Sequence, residues 1–160
     1  MKRIGSILLA ISLVLVGGCS EKSAPTAPPE TTHKHEHIPP HHGTPIVLGK
    51  EEYHVELVCD SAAGKLQAFV LDGELENFIR VQQTSFEVSV KLPEREEVLV
   101  FRAIPNNATG ETVGDTSLFE AQAEWLKATT TFDGVLKELL VRGKAYEQIT
   151  FNFPKGNDTD

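Results

Sequence analysis

Sulfur and basic charge are both scarce in this chain of 160 residues: two cysteines, one methionine, and 15 Lys+Arg against 23 Asp+Glu, for a formal charge of −8. Two cysteines exclude a disulfide-stapled miniprotein. The acidic excess argues against a protein that tracks nucleic-acid phosphates, because such binding rests on basic groups that release condensed counterions. The only methionine is Met1, so a soft ion such as Cu(I) finds no thioether ligands further along the chain. Catalytic signatures are missing too. There is no Gly-x-Ser-x-Gly elbow, no glycine-rich phosphate loop ending in Lys-Ser or Lys-Thr, and no His-Glu-x-x-His pair. No feature of the sequence pairs two carboxylates, and the chain reads as a non-enzyme.

A long apolar run is also lacking. The stretch from Ile4 to Val16 is broken by Gly5, Ser6 and Ser12, and it falls short of the roughly 20 apolar residues that a membrane helix needs. With Lys2 and Arg3 ahead of it, it reads instead as a secretory signal. It closes on Val16-Gly17-Gly18-Cys19-Ser20, an aliphatic residue three positions before a cysteine with small residues between. This resembles a bacterial lipobox. The resemblance implies cleavage after residue 18, lipidation of Cys19 and a stable membrane anchor through several acyl chains. Ser20 in place of Asp removes the inner-membrane retention signal known from enterobacteria, which points to the outer membrane, facing the periplasm. Loss of residues 1–18 removes Lys2 and Arg3 and takes the formal charge from −8 to −10. Cys59 is then the one thiol not lipidated, and burial in the core is its expected place.

What the chain does have is histidine, six in all, every one between His33 and His54. Residues 19–45 contain Pro25, Pro28, Pro29, Pro39, Pro40 and Pro45 among small polar residues, with Ile38 the one large aliphatic. Such a composition buries too little apolar surface to offset its ordering entropy, and it predicts a disordered tether stiffened toward polyproline II. Within it, five of the ten residues from His33 to His42 are imidazoles: His33, His35, His37, His41 and His42. Neutral imidazole is a ligand for Cu(II), Zn(II) and Ni(II). In an extended chain His33, His35 and His37 fall on one side, with about 6 to 7 Å between neighbouring attachment points. The alternative is a solvated spacer that becomes positive in mild acid.

Beyond Pro45 the period changes to two. Ser85-Phe86-Glu87-Val88-Ser89-Val90-Lys91-Leu92 alternates without a break, which marks a strand with one buried face. Tyr53 to Cys59 alternates nearly as well, and Asp60 to Gly64 supplies a turn into Lys65 to Leu71, so these segments form a hairpin. Phe78 to Val81, Glu97 to Ile104, Val135 to Arg142 and Ala145 to Phe153 are further strands. One short helix is expected over Ala121 to Ala128. The pattern predicts an all-β fold, a small antiparallel β-sandwich of the immunoglobulin-like kind over residues 46–155, with a small barrel as the competing architecture and a disordered tail at 156–160. His54 and Glu56, two apart on a strand, share a face, and Cys59 points oppositely.

The run from Pro39-Pro40-His41-His42-Gly43-Thr44 through Tyr53-His54-Val55-Glu56 to Asp72-Gly73 resembles segments of small bacterial secreted proteins and lipoproteins. In these, His-Gly-Gly, a later glycine and aromatic-His-x-Glu accompany periplasmic adaptors of heavy-metal efflux systems. The likeness spans residues 33–73, and Leu118 to Ala121 and Asp133 to Leu136 follow it more loosely. This chain carries His42 where the pattern has its first glycine. The resemblance implies that His41, His54 and Glu56 form a second metal site where tether meets strand. The bland alternative puts His54 and Glu56 on the solvent face of a half-exposed strand. The resulting expectation is a lipid-anchored envelope protein that binds Cu(II), Zn(II) or Ni(II) for buffering or transfer, in company with an envelope efflux system. The competing expectation is a protein–protein interaction module of the envelope with a spacer tether.

Overall fold

The structure is a computed structural model that describes residues 38–158. The expected signal segment, Cys19, His33, His35 and His37 lie outside the described residues. Everything described belongs to one compact unit.

The chain is all-β and antiparallel, as the period-two pattern implies. Its strands are β1 Thr44–Leu48, β2 Tyr53–Asp60, β3 Lys65–Asp72, β4 Ser85–Lys91, β5 Glu96–Ala103, β6 Leu118–Gln122, β7 Phe132–Val141 and β8 Lys144–Phe153. They form one sheet in the order β1-β2-β3-β6-β5-β4-β7-β8, which curves until its two outermost strands approach each other. The expected β2–β3 hairpin is present in the register Asp60↔Lys65. Its turn is capped by Asp60, whose Oδ1 accepts the Ala63 N–H at 3.1 Å.

Alternate residues point inward and fill the enclosed space. Ile46, Val55, Leu57, Ala68, Val70, Val88, Phe101, Phe119 and Leu136 are all nearly or wholly buried, and Phe86 stacks on Phe101 with centroids 4.8 Å apart. One phase change occurs in the β7–β8 hairpin. Phe132, Gly134 and Leu136 face in, then Leu139 and Val141; opposite them Phe153 and Phe151 face in, then Tyr146. Gln148, at φ 53, sits at the crossover. Gly134 makes room for its cross-strand partner, since a Cβ there would lie 2.4 Å from Phe151 Cζ.

The sheet's edges are tied at both ends. At one end Asn157 meets β1: its Oδ1 accepts the Val47 N–H at 2.7 Å and its Nδ2 donates to Val47 O at 3.2 Å. Thr44 Oγ1 adds a bond to Pro154 O at 3.1 Å. At the other end Glu52, in the β1–β2 turn, accepts from Lys144 Nζ and from Tyr146 Oη, both at 2.5 Å. A barrel-like sheet closed this way leaves fewer unpaired strand edges.

Several expected boundaries require correction. β1 begins at Thr44, inside the stretch expected to be tether, because Pro45 occupies a sheet edge, where a missing N–H is tolerated. Gly156 and Asn157, expected in a disordered tail, instead close the sheet. Phe78 to Val81 makes isolated bridges, Leu71↔Phe78 and Val81↔Thr116, and no continuous strand. The expected helix is a single 3-10 turn, Glu124–Lys127, with Leu126 buried, while Ala121 belongs to β6. Neighbouring-strand pairing through Ala121↔Leu66 wins over the helical spacing of Ala121, Trp125 and Leu126.

Candidate functional site

The outer face of β2 and β3 is where the sequence-predicted residues meet. His54 and Glu56 share that face, opposite Val55 and Leu57, as period two requires. Cross-strand neighbours are Phe69 for Glu56 and Leu71 for His54. Apolar Phe69 and Leu71 stand on the outward side of a strand whose inward side is Leu66, Ala68 and Val70. That outward face is therefore apolar as well, and it needs a cover.

Residues 38–43 supply the cover. His42 adopts φ 56, in the left-handed region, and its N–H donates to Pro39 O at 2.9 Å, forming a tight turn. Gly43 has no room for a side chain: a Cβ would lie 2.5 Å from Leu57 O and 2.8 Å from Glu56 Cγ. The chain thus approaches β2 closely enough for backbone groups to reach the Glu56 carboxylate.

Glu56 is fully buried and collects three donors. Its Oε1 accepts the His41 N–H and the Gly43 N–H, each at 2.8 Å, and its Oε2 lies 2.8 Å from His41 Nδ1. A buried carboxylate is costly unless its acceptor positions are filled, and here they are. The His41 ring lies flat on Phe69, with centroids 4.0 Å apart and planes 18° from parallel, and Phe78 sits at 5.8 Å from it. The His41 side chain still has 38% of its surface exposed, whereas Glu56 has none.

The structure therefore brings His41 and Glu56 together. His54 is on the same face, buried, with Nδ1 3.2 Å from Asp72 O. Among the described residues no group of three or more His, Cys, Asp or Glu side chains is arranged to hold a metal ion. His42 is exposed at the tip of the turn. The idea of a solvent-facing His54 and Glu56 is corrected: both are buried, Glu56 beneath His41 and Gly43, which bind its carboxylate, and His54 between β1 and β3. Sequence reasoning missed Phe69 and Phe78 as partners of His41. The signal was Phe69 itself, a large aromatic on what alternation makes the outward side.

Cys59 points away from His54, as its spacing predicts, and is half-buried against the core. Burial first, and the Asp60 carboxylate second, push its thiol above the ordinary range. Elsewhere, a groove of about 600 Å³ runs over β4, β7 and β8 between Lys91, Lys137, Glu96 and Asp133, on a different part of the sheet from the histidines. Within it Lys91 stands between Glu96 and Asp133, its cross-strand neighbours.

Comparison with protein-family profiles, with curated proteins and with solved structures finds no match for this chain.

Proposed function

We propose that this chain is a lipid-anchored envelope protein that binds divalent transition-metal ions, Cu(II), Zn(II) or Ni(II), for buffering or transfer. The observation that carries the reading is the placement of His41. It is the fourth of five imidazoles between His33 and His42, and it is held on the domain by Glu56 and Phe69 with part of its ring in solvent. The histidine run thus ends at a fixed point on a folded surface, and metal captured by the run is delivered beside it. The acidic character of the chain adds a weak attraction for cations.

Calorimetric titration of the full chain in detergent with Zn(II), Cu(II) and Ni(II) tests the reading. Binding that disappears when His33, His35, His37, His41 and His42 are replaced by alanine supports it. Undiminished binding by that variant contradicts it. The interaction-module reading draws on Phe78, 48% exposed beside Phe69 and His41. It predicts that deletion of residues 31–42 leaves cellular function intact, whereas the metal reading predicts metal sensitivity in the same strain.

A further inference from the structure

We infer that Glu56 is a positioning residue for metal capture, holding His41 as the tautomer whose Nε2 is the ligating atom. The inference rests on the metal-binding reading above and gives Glu56, expected from the sequence as part of a metal site, the part of an orienting partner.

The argument begins with donor bookkeeping at one carboxylate. Glu56 Oε1 already receives two backbone N–H groups, from His41 and Gly43. A carboxylate is an acceptor, so the partner of Oε2 at 2.8 Å must donate, and that partner is His41 Nδ1. With the proton on Nδ1, the lone pair of a neutral imidazole is on Nε2, at the opposite edge of the ring. Metal-bound histidines commonly donate their other ring N–H to a carboxylate in this way, which fixes the tautomer and the ring direction.

Two further contacts fix that direction here. The His41 backbone N–H is bound to the same carboxylate as its ring, so the residue is held at both ends of its side chain. Phe69 stacks under the ring at 4.0 Å and limits rotation about the Cβ–Cγ bond. Phe69 is the cross-strand neighbour of Glu56, so the β2–β3 register sets the carboxylate and the stacking ring together. The left-handed turn at His42 and the close approach at Gly43 bring the segment into place. A carboxylate with no exposed surface and three donors is poorly placed to enter an ion's first coordination sphere. It is well placed to aim the imidazole that does.

Glu56→Gln isolates the claim. A glutamine is close in size, and its carbonyl oxygen still accepts the two backbone N–H groups. Its amide then presents N–H to His41 Nδ1, which reverses the tautomer and places the proton on Nε2. The full chain, wild type and E56Q, is examined by long-range ¹H–¹⁵N correlation of the histidine rings at neutral pH, without metal and then with Zn(II). The wild type is expected to show His41 protonated on Nδ1 and a Zn(II)-dependent shift of its Nε2. E56Q is expected to show the reversed tautomer and an affinity for Zn(II) lower by about tenfold or more, close to that of His41→Ala. A wild-type His41 protonated on Nε2 overturns the inference, and that measurement stands even if E56Q does not fold. Wild-type Zn(II) binding with an unmoved His41 ring, or with affinity equal in folded E56Q, overturns it while leaving the metal reading in place. A wild-type chain that binds no Zn(II), Cu(II) or Ni(II) overturns both.

Discussion

Asn157 completes the outer edge of β1 at Val47 with its side-chain amide, one bond to the Val47 N–H and one from its own Nδ2 to the Val47 carbonyl. A side chain here does what the backbone of a ninth strand would do. The consequence is energetic as well as topological. Asn157→Ala leaves both Val47 groups without these partners, and the expected loss is about 1 to 3 kcal/mol. Urea denaturation measures it; an unchanged midpoint would mean that water replaces the amide at no cost.

Neighbouring positions in the covering segment answer differently to substitution. Gly43→Ala forces a Cβ against Leu57 O and Glu56 Cγ, and backbone cannot move aside as a flexible side chain can. The expected destabilisation is about 1 to 3 kcal/mol, with loss of the His41 stacking on Phe69 visible as ring-current shifts. His42→Gly, by contrast, relieves a left-handed backbone costing about 1 kcal/mol while gaining a similar amount of freedom in the unfolded chain. Its stability is expected to stay within about 1 kcal/mol of wild type. Equal losses in both variants would show that residues 38–43 are not held as described.

Acid weakens the fold in a defined window. The Glu52 carboxyl is held below its ordinary value of 4.5, first by the hydrogen bond from Lys144 and then by that from Tyr146. At Glu111 burial is the largest influence and acts upward, but hydrogen bonds from Ser117 and Thr109 outweigh it and the net direction is down. A carboxyl whose folded value is depressed contributes stability above its unfolded value and loses it as pH falls through the folded one. Stability is therefore expected to drop below about pH 4.5, and Glu52→Gln to show a shallower drop. Urea midpoints at pH 7 and pH 3.5 check this. Parallel decline in both proteins would show that the tie between the β1–β2 turn and β8 carries no pH-dependent stability.

Cys59 combines half-burial with a thiol pushed upward by burial and by Asp60. Since the thiolate is the reacting form, alkylation at pH 7.5 is expected to be slower than for a small free thiol, and to accelerate on denaturation. Equally fast labelling in the folded state would place the sulfur in a more open and less acidic setting.

Much of the barrel was legible because alternation records burial of one face. Ser85 to Lys91 reads directly as β4, and Tyr53 to Asp72 as a hairpin with its turn at residues 61–64. β1 and β6 were not legible. β1 is five residues long and starts beside Pro45, and β6 follows a loop and runs into a helical-looking spacing. Both owe their strand form to partners far along the chain, β2 for one and β3 and β5 for the other. At the candidate site, the pairing of His54 with Glu56 on one face was visible from their spacing. That His41 and Glu56 belong to one site was implied by the resemblance, but their clasp could not be read from spacing, since the two residues are brought together by a turn at His42 that its residue type does not announce. Phe69, outward-facing and apolar, was the clue that this face is covered.

The central claim is that the histidines between His33 and His42 capture divalent metal. Its most direct test is a calorimetric titration of the full chain with Zn(II), Cu(II) and Ni(II), run beside the variant in which His33, His35, His37, His41 and His42 are alanine. Binding by the wild type and none by the variant is the predicted result; binding by neither, or equally by both, contradicts it.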